Sequence, residues 1–485
     1  MKLLSICGVH HDLNVTVYDH GKIKYQKYER LTQVKHYSDK RLLDINKLVE
    51  LSKKVDALVV DSIVIGLNKL ENHINDKKLY QQFTDKIFIV DHHYLHALSG
   101  SLFNDFDVAV VIDGKSLEHT WSVFRDDTRI ASGLHDESGS IGYGLVYMGH
   151  QANVTGHTLD IPGKVMGLQS YGNVDHEFMQ TLQHYDITNV GAKIIRSEQS
   201  RIPIFGMYDM SKCNNTLNAL RTLHTKTGEI INDTFAKYVN KNDVVVYSGG
   251  VAQNVIWNTQ LKNTYKNLSI LPHVGDEGLS LGGIEFLRRH FNLNRIQYSQ
   301  FPYMQNDEST EEVTQDTIDE VADYLANGKI VAWYQDNGEI GPRALGNRSI
   351  LMDPRLPNGK DIMNRVKNRE YYRPFGASIL REHAKEYFDL DFENPYMLYV
   401  GVSQKDNLKS ITHVDGTCRV QTVEEGSFRL LLESFYKKTG CPVLLNTSLN
   451  VSGKPIAGHI KDAIFEFENT DIDVLVVGNT VYKKS

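Results

Sequence analysis

The chain has 485 residues, more than one ordinary hydrophobic core accommodates, so two domains are the expectation. Its formal charge of −7 and hydrophobic content of 41% describe a globular protein with no electrostatic footprint for gripping polymeric nucleic acid. Cys7, Cys213, Cys418 and Cys441 show neither CxxC nor zinc-ribbon spacing, no secretory leader is recognisable, and no run approaches eighteen apolar residues; a cytoplasmic protein with free thiols and no membrane span is expected.

In chain order, residues 3–29 read as three short strands separated by the His10–His11–Asp12 turn and a Gly21 turn. A helix follows near 39–53, then the apolar stretches 55–67 and 86–90, the second ending in Asp91–His92–His93. From residue 108 the strand–turn–strand–turn–strand unit returns, with an Asp113–Gly114–Lys115 turn. One supersecondary unit occurring twice points to a duplicated domain of the kind shared by actin and hexokinase. Further on come a glycine-punctuated loop holding Lys164, helical periodicity over 213–240, and a strand running into Gly249–Gly250 and then a helix. That last arrangement offers free backbone N–H groups to a phosphate or ribose, or is a plain strand-to-helix connection. The turn at 275–278 repeats the scheme with Asp276.

Residues 292–313 are polar and aperiodic and read as a linker, dividing the chain into domains 1–291 and 314–485. Beyond it the run 335–355 carries Arg343, Arg348 and Arg355 among Gly338, Gly341 and Gly346. Neither the helical nor the strand period fits this run. It is an anion-binding loop, since the guanidinium fork matches phosphate and carboxylate, or a surface loop whose arginines face water. Arg365, Lys367, Arg369 and Arg373 follow, and a strand near 443 leads into Asn446, Thr447, Ser448 and Asn450.

His92 and His96 stand at i, i+4, on one face of a helix start, as metal ligation requires; the alternative is a packed or solvated pair. Asp276, in the other half of the duplicated domain, is the candidate third ligand, and two His with one Asp suit a divalent transition metal. His93 occupies the place where a metalloprotease would need glutamate, which excludes that chemistry; it is a candidate for assisting transfer, or a solvated side chain. His11 and Asp12 are either a general base with its neighbour or ordinary turn residues.

The segments HHD (10–12), YERL (28–31), DHHYLHA (91–97), PGKVMGLQSYG (162–172), SGGVAQNVIWN (248–258), GDEG (275–278), GEIGPRALGNRSILMDPR (338–355), YYRPFGASIL (371–380), HVDGTCRVQTV (413–423) and PVLLNTSLNVSGKPI (442–456) together resemble the O-carbamoyltransferase family, of the NodU/CmcH type and similar to tobramycin carbamoyltransferase. The resemblance implies an α/β protein: an actin/hexokinase-like (ASKHA) N-terminal domain akin to the threonylcarbamoyl transferases, plus a YrdC-like C-terminal domain. It implies that carbamoyl phosphate and ATP, with Mg2+, form carbamoyl-adenylate and pyrophosphate in the C-terminal domain. The carbamoyl group then passes to a hydroxyl of a small acceptor, such as a hydroxymethyl-pyrimidine nucleotide or a natural-product sugar. On this resemblance His92, His96 and Asp276 hold an iron-type metal, and His11 is the catalytic histidine beside the acceptor, with Asp12 its neighbour. Gly249, Gly250, Asn254 and Lys164 contact nucleotide, and Arg343, Arg348, Lys367, Arg373, Arg419, Asn446, Ser448 and Asn450 line the carbamoyl phosphate and ATP surface. Oligomeric state stays open, with a homodimer as one option. A kinase of the actin-like fold is the principal rival reading, and it would release ADP.

Overall fold

The computed structural model of the chain describes residues 1–8, 10–62, 79–116, 118–196 and 201–484; the end of the apolar stretch 55–67 lies outside these. The chain forms two compact units, one of Met1–Ile23 and Ser38–Gln297, the other of Lys24–Tyr37 and Tyr298–Ser485. Segment 24–37, assigned from sequence to one continuous N-terminal domain, therefore belongs with the C-terminal half.

In the first unit a six-stranded sheet has the order β3-β2-β1-β4-β6-β5: β1 (Lys2–Cys7), β2 (Asn14–Asp19), β3 (Lys22–Lys27, which ends in the second unit), β4 (Ala57–Asp61), β5 (Tyr80–Gln82) and β6 (Ile87–Val90). β1 and β2 are antiparallel, while β1, β4 and β6 are parallel. A second sheet has the order β13-β12-β7-β8-β9, with β7 (Val108–Ile112), β8 (His119–Arg125), β9 (Thr128–Leu134), β12 (Val245–Ser248) and β13 (Leu268–Ser269); β10 (Lys193–Arg196) and β11 (Arg201–Ile204) form a separate hairpin. Here β7, β8 and β9 are the antiparallel meander, and β7, β12 and β13 run parallel. Strand order and direction thus repeat from one sheet to the other. Strands β4, β6, β7 and β12 are almost wholly apolar and buried at every position, as parallel strands covered on both faces must be.

Two helices join these sheets. Helix His92–Ser99 packs on β7, β8 and β12, helix Leu279–His290 packs on β1, β2 and β4, and the helices pack on each other. Gly282 permits the approach, because a Cβ there would lie 2.2 Å from the Leu95 carbonyl oxygen. The histidine-bearing helix is thereby fixed within the core. No described helix is long and apolar enough to cross a membrane.

The second unit is built on an eight-stranded sheet, order β17-β18-β16-β19-β15-β14-β20-β21. Its strands are β14 (Val331–Tyr334), β15 (Arg348–Met352), β16 (Gly376–Leu380), β17 (Tyr399–Val402), β18 (Thr417–Val423), β19 (Val443–Ser448), β20 (Val474–Val477) and β21 (Thr480–Lys483). Helices Gln315–Ala326 and Gly426–Thr439 pack against one another, over a core that includes Trp333, Phe375, Leu431 and Phe435.

The run 335–355 departs from the sequence reading. Its second part is a strand, β15, paired with β14 and β19 and buried at every position. Ser349, Ile350, Leu351 and Met352 pack on both faces of the sheet, so no alternation betrays the strand. Its first part is irregular, and buried side chains satisfy its backbone. Glu339 Oε1 accepts from the N–H groups of Leu345 (2.7 Å), Asn347 (3.0 Å) and Arg348 (3.1 Å). Arg348 donates to the carbonyls of Gln335 (2.5 Å), Asp336 (2.6 Å), Asn347 (3.1 Å) and Glu308 (3.2 Å). It also pairs with Asp307 at 3.1 Å and lies 3.5 Å over the Tyr334 ring. A lysine carries one compact charge and cannot reach these carbonyls or stack. Arg348→Lys should therefore destabilise the protein by about 3 kcal/mol, the scale for breaking a buried charged network. Urea unfolding measures this, and an unchanged midpoint would contradict the role.

Candidate metal centre and cation cluster

The parallel strands of the first unit deliver their carboxyl ends to one place. Asp61 ends β4, His92 follows β6, Asp113 follows β7 and Gly249 follows β12. Asp91 caps the helix His92–Ser99 through the Tyr94 N–H (2.9 Å), so its first turn projects His92 and His96 together, with ring centroids 4.8 Å apart. One donor atom from each of His92, His96, Asp113 and Asp276 lies within 4.8 Å of the others. His92 Nε2 is 3.4 Å from Asp113 and 3.7 Å from Asp276, and His96 Nε2 is 3.4 Å from Asp276. Both Nε2 atoms are buried without a hydrogen-bond partner among the described residues. Two imidazole nitrogens and two carboxylates converging at such spacing suit a divalent transition metal. Burial by itself would lower the His92 pKa, but the Asp61 and Asp276 carboxylates hold it well above its ordinary range. Burial pushes Asp113 upward too, yet the facing histidines hold it well below the usual carboxylate range.

His11 sits at the rim. Its Nδ1 is 3.1 Å from Asp12 Oδ2 and its Nε2 is 3.6 Å from Asp276 Oδ2. Desolvation opposes its protonation, but Asp276 and Asp12 outweigh it and push the pKa up to about 9. His93, expected to be solvated if not catalytic, is fully buried. Its Nδ1 meets Ser122 Oγ at 2.8 Å, and burial pushes it well below its ordinary range, so it is a neutral core imidazole.

The Gly249–Gly250 turn adjoins this cluster. Gly249 has φ +95°, and a Cβ there would lie 2.3 Å from the Ile112 carbonyl oxygen, which only glycine tolerates. The Gly250 N–H donates to Asp113 Oδ1 at 2.8 Å, so a single carboxylate touches both the turn and His92. Asn254 caps the helix Val255–Thr264 and its amide meets His224 Nε2 at 2.9 Å; Lys164 donates to the Thr155 carbonyl at 2.7 Å.

In the second unit, cations gather with few carboxylates. Arg369 is held well below the usual guanidinium range by burial and by Arg373, Arg419 and Arg343. Burial and Arg373 bring Arg419 down to about 10, and its Nε has no hydrogen-bond partner among the described residues. Lys367 is lowered by burial and by Arg369 and Arg373, and it grips the 448–450 loop: Nζ donates to the Ser448 carbonyl, the Asn450 carbonyl (2.5 Å) and Asn450 Oδ1 (2.6 Å). Ser448 Oγ also donates to Asn450 Oδ1 at 2.6 Å. Asn446 is buried and donates to Ser378 Oγ (2.9 Å) and the Ala344 carbonyl (3.3 Å), beside Arg343. Arg348 does not join this group, because backbone carbonyls and Asp307 occupy its guanidinium.

Several residues escaped the sequence reading of the site. Asp113 stands in an ordinary Asp–Gly turn after an apolar strand, and Arg369 is one of four cations in its segment, with nothing local to single either out. Asn14 carried no signal. It is fully buried, its amide donates to the carbonyls of Asp12 and Asp276 (2.8 Å each), and its Oδ1 accepts from the Ser280 N–H at 2.9 Å. It thus ties the His11 turn to the Asp276 turn. Asn14→Asp keeps the shape but sets an acceptor against two carbonyls. It should cost about 2–4 kcal/mol, the scale of two buried unmet groups, read as a lower urea midpoint; no shift would count against the tie.

Residues 62–284 match the family model for the carbamoyltransferase N-terminus, and residues 322–484 match that for the carbamoyltransferase C-terminus. The chain is 30% identical over 442 residues to nodulation protein NolO of Bradyrhizobium diazoefficiens, covering 81% of this chain and 79% of that one. It is 31% identical over 444 residues to nodulation protein NolNO of Sinorhizobium fredii, covering 82% of this chain but 64% of that longer one. It is 31% identical over 350 residues to a 3'-hydroxymethylcephem-O-carbamoyltransferase of Amycolatopsis lactamdurans, covering 67% and 66% respectively. With both family regions in order along one chain, and identity to NolO sustained over four fifths of each sequence, this chain belongs to the carbamoyltransferase family of enzymes.

Proposed function

We propose that this enzyme carries out ATP-dependent O-carbamoyl transfer in two chemically separate steps, the first in the second unit and the other in the first unit. The observation that carries the proposal is the cation cluster of Arg343, Lys367, Arg369, Arg373 and Arg419. These side chains repel one another in a partly desolvated place, and a ligand of high negative charge relieves that repulsion. Carbamoyl phosphate and ATP, accompanied by Mg2+, together form such a ligand.

For atoms to balance, carbamoyl phosphate loses its phosphoryl group to water as inorganic phosphate. The resulting carbamate oxygen attacks the α-phosphorus of ATP, and pyrophosphate departs. Arg373 and Arg419 are suited to binding the phosphates, while Lys367 and Asn446 shape the wall by holding the 448–450 loop and residue 344. On this reading the second unit is YrdC-like, and the first, with its repeated strand order, is actin-like.

In the transfer step the acceptor hydroxyl oxygen attacks the carbamoyl carbon and AMP leaves. His11 stands at the rim of the His92/His96/Asp113/Asp276 cluster; a cation bound there would offset Asp276, the main charge that keeps His11 protonated, and free its imidazole to take the hydroxyl proton. Asp12 steadies that ring through Nδ1, and the Gly249–Gly250 turn offers N–H groups to the nucleotide. A divalent metal held by His92, His96, Asp113 and Asp276, iron in our reading, would supply Lewis acidity. The Amycolatopsis relative is named for a hydroxymethyl acceptor, and a hydroxymethyl group on a small molecule, such as a pyrimidine nucleotide, is the acceptor class we favour here.

With ATP, carbamoyl phosphate and a competent acceptor, the purified chain should release pyrophosphate and AMP, measured by ion-exchange chromatography; release of ADP in their place would favour the kinase reading. Arg419→Ala should reduce carbamoyl-dependent ATP–pyrophosphate exchange at least 100-fold, whereas His11→Asn should leave exchange near wild type and stop transfer. Loss of the same step in both variants would defeat the division of labour.

A further inference from the structure

The two metal-facing histidines are not held alike. His92 Nδ1 lies 2.9 Å from Asp61 Oδ2, and the His92 backbone N–H donates to Ser62 Oγ at 3.1 Å. The end of β4 therefore grips both the ring and the main chain of this residue. His96, one turn on, has neither Nδ1 nor Nε2 hydrogen-bonded among the described residues. Asp61 is itself only 2% exposed, in a region where Asp113 and Asp276 already supply negative charge. Burying a third carboxylate there costs several kcal/mol unless positive charge compensates it, so packing alone is a poor reason for it.

We infer that Asp61 is a positioning residue for the metal site. It accepts the Nδ1 proton of His92, which fixes the tautomer with the Nε2 lone pair aimed at Asp113 and Asp276 and makes His92 the stronger of the two imidazole ligands. A carboxylate behind a ligating imidazole orients the ring and raises its basicity, and removing it typically lowers metal affinity 10–100-fold. The inference rests on the divalent-metal reading of the His92/His96/Asp113/Asp276 cluster.

The test uses the metal-stripped full chain titrated with Co2+ and followed by visible d–d absorption. Asp61→Asn should weaken Co2+ binding roughly 10–100-fold. The loss should vanish in a His92→Ala background and persist in a His96→Ala background, because coupling energy belongs to residues in contact. The metal-free variant should keep the far-UV circular dichroism of the metal-free wild type, which separates loss of a ligand's support from loss of the fold. The wild-type Co2+ protein supplies an independent measurement: a hyperfine-shifted, exchangeable N–H proton that His92→Ala removes. Failure of the wild type to bind Co2+ would overturn the metal reading itself. Binding by the wild type with Asp61→Asn within twofold of it, or with no such proton at His92, would overturn the role of Asp61 alone.

Discussion

Like charges held close together out of water are the constraint on which this protein's organisation turns. In the first unit, Asp61, Asp113 and Asp276 converge on His92 and His96; in the second, Arg343, Lys367, Arg369, Arg373 and Arg419 converge with few carboxylates among them. In the first, histidines offset the carboxylates that outnumber them; in the second, the cations repel one another. Each is tolerated because rigid surroundings impose it, and each is relieved by a ligand of opposite sign. Binding to the folded state alone then adds stability by mass action, so the acidic cluster favours a cation and the basic cluster a polyanion for a physical reason independent of family membership.

What makes the surroundings rigid differs between the units. In the first, regular structure does it: parallel strands end at one level, and the helix His92–Ser99 is fixed between the second sheet and the helix Leu279–His290. In the second, the segment 335–347 has no regular structure, and its backbone groups find partners in buried charges. Glu339 collects three N–H groups, and Arg348 collects four carbonyls. An aperiodic loop can be buried only if such partners are provided. Arg343 therefore projects from a stiff platform.

These two modes explain what the sequence made legible. The strand repeat, the i, i+4 histidines and the glycine turns are local patterns, and local patterns survive in a linear reading. Asp276 was reached through its turn, and the positive charge of the C-terminal half was plain. The direction in which a charged side chain points was not. Arg343 and Arg348 stand five residues apart in one motif, yet one neighbours the cation cluster and the other is turned into the carbonyls behind it. Asp61 closes a stretch that reads simply as a buried strand, and Asn14 has the composition of any strand start. Their contacts span 31 and 262 residues, and no window on the sequence encloses them.

Segment 24–37 sets an order of events. Arg30 is 309 residues from Glu339, whose carbonyl it meets, and Tyr25 bridges to Gln305 in the same unit. During synthesis at about 5–20 residues per second, this segment waits roughly 15–60 s before its partners exist. The nascent chain must therefore carry Tyr25 and Arg30, both destined to be fully buried, in unfinished surroundings while residues 38–297 of the first unit are being made. A C-terminal piece beginning at residue 298 would lack them for good. The boundary that matters for folding is thus not one cut in the sequence, because the second unit closes only around a segment translated before most of the first unit.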